Sequence, residues 1–145
     1  MPFVKANDIS IYYETHGEGD PLLLVGGFTQ NSFYWIELTD LFSKHFQVIV
    51  FDNRGAGQTE SPPEGGYSIK MFAEDTAALM DALHIESAHF IGESMGTLII
   101  QQLCLDHRDR VKKAVLCGPF AKCPAIALHN LHMQLQLLTS GVDRK

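Results

Sequence analysis

Gly92-Glu93-Ser94-Met95-Gly96 sets one hydroxyl between two glycines, each two residues away. A serine at this spacing can stand on a sharp strand-to-helix turn with its oxygen outward, since side chains that would collide there are absent. The amides and positive dipole of the following helix then face charge developing on a carbonyl oxygen. The chemistry implied is acyl transfer, with Ser94 as nucleophile and the Met95 backbone N–H as one oxyanion donor. The alternative is a glycine-rich turn in which the serine only caps the helix.

A second oxyanion donor belongs in a loop after the central buried strand. Gly26-Gly27-Phe28-Thr29 is that loop, and the Phe28 N–H is the expected donor. Gly27, Phe28 and Glu93 are the substrate-binding candidates, although Glu93 also reads as a solvated turn residue. Asp52-Asn53-Arg54-Gly55-Ala56-Gly57 carries two glycines without the further residues of a phosphate loop. It reads as structural, with Asp52 and Arg54 holding a tight loop beside the site. Tyr34 and Trp35 read as helix–sheet packing.

The elements that must position these residues follow from pattern. Phe3 to Lys5 and Ile9 to Glu14 form a hairpin about Asn7-Asp8. Leu22 to Val25, Gln47 to Phe51 and Ala88 to Ile91 are apolar without alternation, as in strands buried on both faces. A helix is expected from about Ser32 to Lys44, with Phe33, Ile36 and Leu41 inward. Ser68 caps another, whose apolar face is Phe72, Ala73, Thr76, Met80 and Leu83. Thr97 to Leu105 continues the serine turn as an apolar helix, Val111 to Cys117 is a further strand, and Ala125 to Leu138 reads as helical. Strands alternating with helices give an α/β fold with a doubly wound, mostly parallel sheet. The loops starting at Gly26, Asp52 and Gly92 all fall at the carboxyl ends of strands, where such sheets bind ligands.

A net charge of −6 argues against nucleic acid and against an acidic membrane surface. No apolar run reaches the roughly 18 residues of a membrane span, and the first residues do not form a signal peptide. Cys104, Cys117 and Cys123 lack metal or redox spacing and read as reduced thiols of a cytoplasmic protein, Cys104 and Cys117 as small buried apolar residues. No metal site and no cofactor are called for.

Leu22-Leu23-Leu24-Val25-Gly26-Gly27-Phe28, Phe51 to Thr59 and Phe90-Ile91-Gly92-Glu93-Ser94-Met95-Gly96 resemble three successive hallmarks of the α/β-hydrolase superfamily. The resemblance runs from the N-terminus to about Phe120, and within the superfamily it is nearest to 3-oxoadipate enol-lactonases and carbon–carbon bond hydrolases. One departure is Gly26-Gly27 in place of the usual His-Gly, which removes a side chain often used to brace the oxyanion loop. The resemblance implies an N-terminal portion of the fold over residues 1–123, the start of a helical cap over 124–145, about six strands present and the last two missing. It implies that the triad acid and histidine lie outside this chain, since both follow the serine in this fold.

Asp106, His107 and Asp109 are carried about 18 Å from Ser94 at 1.5 Å per residue and read as solvated loop residues. His129 and His132 read as polar positions on a cap helix, and Asp143 is too near the end to serve. The expected substrate is a small ester, lactone or similar carbonyl compound. Two alternatives stand beside hydrolysis. One is an incompetent half-domain that dimerises, or takes a complementary C-terminal fragment, through its exposed sheet edge. The other is an acyltransferase or cofactor-free lyase on the same turn.

Overall fold

The computed structural model describes residues 2–62 and 67–122. Strands β1 (Phe3–Ala6) and β2 (Ile9–His16) form the expected hairpin. They lead into β3 (Pro21–Val25), β4 (Gln47–Phe51), β5 (Ala88–Glu93) and β6 (Val111–Cys117). The sheet order is β1-β2-β4-β3-β5-β6, antiparallel at the hairpin and parallel thereafter. Helix α1 (Ile36–Phe42) lies between β3 and β4, α2 (Ile69–Ala82) between β4 and β5, and α3 (Met95–Asp106) between β5 and β6. This is the doubly wound architecture of the sequence pattern.

The main core forms where α2 and α3 press Phe72, Leu79, Met80, Ile99 and Leu103 onto Leu23, Ile49 and Phe90. Ser68 caps α2 as expected, its hydroxyl accepting the Met71 N–H at 3.1 Å. On the opposite face, α1 covers Leu22, Leu24, Val48 and Val50.

Three expectations about that opposite face need correction. The first helix opens as a 3₁₀ turn over Ser32–Trp35, so its inward stripe is Trp35, Leu38, Thr39 and Phe42. Phe33 is 72% exposed, and Ile36, Leu41 and Tyr34 are exposed as well, whereas Trp35 is 3% exposed. The stripe follows the i, i+3, i+4, i+7 rule from Trp35, and the expected phase is wrong because three residues per turn displaced it. Strand β5 is fully buried on one side and only half-buried on the other, where Ile91 packs at the margin of the α1 cluster and Glu93 lies beyond it. Cys117 is exposed for the same reason, at the end of the uncovered edge strand; Cys104 is half-buried, and both are free thiols. Cys123, the segment Ala125 to Leu138, His129, His132 and Asp143 lie outside the described residues.

Candidate active site

Parallel register builds the site. Val25 pairs with Gly92, and Glu93 pairs with Cys117, so the loops leaving β3 and β5 emerge side by side. Ser94 is the single residue between β5 and α3, and it holds φ 51° and ψ −116°. Non-glycine residues rarely adopt a positive φ, and they keep it only where surrounding structure imposes it. Here the imposition is close packing. A Cβ on Gly96 would overlap the Val25 carbonyl oxygen, and one on Gly92 would lie 2.5 Å from Ile100 Cδ1. Each glycine therefore permits α3 to rest directly on the strands.

The Ser94 backbone is fully engaged. Its N–H donates to the Cys117 carbonyl at 3.1 Å, and its carbonyl accepts from the Thr97 N–H at 3.0 Å and the Thr97 hydroxyl at 2.7 Å. Its side chain is not: Ser94 occupies the N-cap position of α3 but makes no capping bond.

The loop after β3 lies against this turn, and a Cβ on Gly27 would come within 3.2 Å of Ser94 Cβ. The bracing that histidine would have supplied comes from elsewhere. The Gly27 N–H donates to Gln30 Oε1 at 2.5 Å, and Gln30 Nε2 donates to Glu93 Oε2 at 2.8 Å. From below, Asn53 Nδ2 donates to the buried Gly26 carbonyl at 3.1 Å. The amides of Phe28 and Met95 have no hydrogen-bond partner among the described residues. Both residues line a cleft of about 660 Å³ together with Gly27, Tyr67, Ile69 and Phe72. Phe28 is 57% exposed, so its ring belongs to this cleft and not to the core.

Glu93 is not brought to that cleft. It lines a separate groove with Phe33, Ile91 and Cys117, and its carboxylate serves Gln30.

The Asp52 loop is held as expected. Asp52 is buried; its two carboxylate oxygens accept the Ser32 N–H at 2.6 Å and the Gln58 N–H at 2.7 Å. Arg54 donates from Nε and Nη2 to Asp75 at 2.8 and 2.7 Å, and from Nη2 to Asp8 at 2.7 Å. These bonds push the guanidinium's pKa further up, and the Arg54 bond holds the Asp8 carboxyl below its ordinary range.

Sequence reasoning missed Asp75 and Gln30. A signal existed for Asp75, a carboxylate three residues after Phe72 on an apolar helix face, which must find a partner when buried. For Gln30 there was none. Three of the described histidines sit against other carboxylates: His16 with Glu14 at 2.9 Å, His89 with Asp20 at 3.6 Å, and His107 with Glu74 at 3.1 Å. Asp106 and His107 stand at the far end of α3, as its length requires. Among the described residues, no cluster of three or more His, Cys, Asp or Glu could hold a metal ion, and no helix is long and apolar enough to cross a membrane.

Residues 20–140 match the family model described as alpha/beta hydrolase fold. An Agrobacterium fabrum protein that bears the name carbamate hydrolase RutD is 32% identical over 140 residues, covering 92% of this chain and 53% of its own length. The solved structure of Est816, described as an N-acyl homoserine lactone degrading enzyme, superposes with a TM-score of 0.75 at 39% identity, over 79% of this chain and 44% of its own. The enol-lactonase of Burkholderia xenovorans superposes with a TM-score of 0.82 at 28% identity, over 94% of this chain and 58% of its own. The chain thus spans about half the length of the relatives it matches.

Proposed function

From the premise that the chain belongs to the α/β-hydrolase fold family, we propose that it is the nucleophile-bearing part of a serine hydrolase acting on small esters, lactones or similar carbonyl compounds. The observation that carries this is the state of Ser94. Its backbone is strained and fully bonded, yet its hydroxyl, at a position where serine ordinarily caps the helix, makes no capping bond. A serine kept there only as a cap would use its oxygen.

In this reading Ser94 Oγ attacks the carbonyl carbon and gives its proton to a histidine beyond the described residues. The Phe28 and Met95 amides receive the negative charge on the carbonyl oxygen. The alcohol leaves with that proton, and water then releases the acid and restores the serine. The names of the relatives, a carbamate hydrolase, a lactone degrading enzyme and an enol-lactonase, agree with a small carbonyl substrate. The Gln30–Glu93 pair holds the oxyanion loop, which makes Glu93 a positioning residue in place of a substrate contact.

The test joins residues 1–122 to the C-terminal portion of the Burkholderia enol-lactonase, with folding checked by circular dichroism. The folded chimera is expected to hydrolyse p-nitrophenyl acetate, and Ser94→Ala to lower kcat by about 10³-fold or more. Equal activity of the Ser94→Ala chimera would sink the reading. The 145-residue chain alone is expected to show weak turnover or none.

A second reading is favoured by the edge of β6, which pairs with no further strand among the described residues and where residues 112–115 are exposed. It makes the chain a half-domain whose edge pairs with a second copy or a complementary fragment. Sedimentation gives the answer: a monomer of 16.1 kDa at all concentrations would remove the homodimer.

A further inference from the structure

We propose that the cleft beside Phe28 and Met95 takes esters or lactones with an uncharged hydrocarbon acyl chain and rejects those carrying a free carboxylate. The proposal rests on the serine-hydrolase reading and names its substrate class.

The walls are apolar and flat. Phe28, Ile69 and Met95 line the cleft, and the rings of Tyr67 and Phe72 stack 5.9 Å apart at 15° to form one side. The polar groups of the lining are largely paired with one another or with the fold. The Ser61 and Tyr67 hydroxyls bond each other at 2.9 Å, and the Asn53 amide is spent on the Gly26 carbonyl. A neutral chain loses no hydrogen bonds on entering such a surface.

The decisive group is Arg54. It is the one cationic side chain lining the cleft among the described residues, so it is the natural anchor for an anionic substrate. It is not free to act as one. Its side chain is 6% exposed, and Asp75 and Asp8 together accept from Nε, Nη1 and Nη2. Two carboxylates on one guanidinium leave the group net negative. A substrate carboxylate here would meet repulsion and would shed its water without gaining a partner.

A lactone made from a dicarboxylic acid such as adipate is excluded on this ground. Adipate has two carboxyl groups, and closing one into a lactone leaves the other free. The geometry of Arg54 offers that second carboxylate nothing.

Dimethyl adipate and monomethyl adipate share one skeleton and differ by one charge at neutral pH. Both are titrated into the ¹⁵N-labelled 145-residue chain. Dimethyl adipate is expected to shift the Phe28, Ile69, Phe72 and Met95 amides, and monomethyl adipate to bind at least about tenfold more weakly. Across methyl butanoate to methyl octanoate, affinity should rise about fourfold for each methylene that is buried. Asp8→Asn removes one negative charge while Asp75 keeps Arg54 in place, and it should narrow the preference for the diester. Equal or tighter binding of the monoester, shifts confined to another surface, or no binding of either ester would each overturn the proposal. Failure here with a Ser94-dependent chimera therefore sinks the substrate class alone, and a Ser94-independent chimera sinks the parent reading whatever the esters do.

Discussion

The two faces of the sheet are finished to different degrees. One carries α2 and α3 over a continuous core from Ile9 and Ile11 through Leu23, Ile49 and Phe90 to Ile99 and Leu103. The other carries, among the described residues, only α1 and the 3₁₀ turn before it, over Leu22, Leu24, Val48 and Val50. Strands lie about 4.8 Å apart, so a helix about 10 Å in diameter covers roughly two of them. Ile91 is left partly open and Val115 is 56% exposed. The difference teaches where the candidate site gets its shape. The strained Ser94 turn is fixed from the covered face, where Gly92 and Gly96 let α3 rest on β3 and β5. The open face contributes only the Gln30–Glu93 brace at its rim.

The comparison breaks first if the covered side does not carry the stability. Asp75 joins Arg54 and Asn7 beneath α2, and Asp75→Ala would leave a buried guanidinium with only the exposed Asp8 as partner. A loss of about 3–5 kcal/mol in urea unfolding is expected. Phe90→Ala, which empties a fully enclosed site between sheet and helices, should cost about 3–5 kcal/mol by the same measurement. A cost below about 1 kcal/mol for both would mean that the covered face is not the stabilising one.

The uneven covering also explains how much could be read from the sequence. The unbroken apolar runs at Leu22–Val25 and Gln47–Phe51 announced central strands, because both their faces are buried. The same rule overreached at Ala88–Ile91, since a run of four cannot tell whether a second layer arrives above it. The glycines around Ser94 were legible because their spacing is a steric requirement of the turn itself. Gln30 was not, because its role arises from β3 and β5 lying side by side, a pairing between residues 63 positions apart. Asp75 lay between these cases: its position on an apolar face demanded a partner, but only the folded loop shows that the partner is Arg54.

Gln30→Ala tests the rim between the two faces. It leaves the Gly27 N–H without an acceptor and Glu93 without its amide, at an expected cost of about 1–3 kcal/mol. The sharper readout is local, since the Gly27 and Phe28 amide resonances should move while those of α2 stay fixed. Asp8 gives a smaller, pH-dependent effect. The Arg54 bond holds its carboxyl below the ordinary 3.8, so its stabilisation is complete above that value and drains as pH falls through the depressed folded value. Asp8→Asn should therefore flatten the acid limb of the stability curve below about pH 4. An unchanged limb would show that the outer partner of Arg54 adds nothing.

The smallest effect should come from the open face, and its smallness is informative. Val115→Thr keeps the branched shape that strands favour and changes only a methyl for a hydroxyl on an exposed surface. With the side chain this exposed, the change should alter stability by no more than about 0.5 kcal/mol. The measurement is made at two protein concentrations a hundredfold apart. If a second copy covers β6, the parent's stability rises with concentration, and Val115→Thr removes part of that rise by placing a hydroxyl in a buried interface. A flat response in both proteins leaves the asymmetry as drawn, one face closed by α2 and α3 and the other open beside Glu93. A concentration-dependent cost at Val115 would close that face by self-association and move Glu93 from the rim of the molecule to its interior.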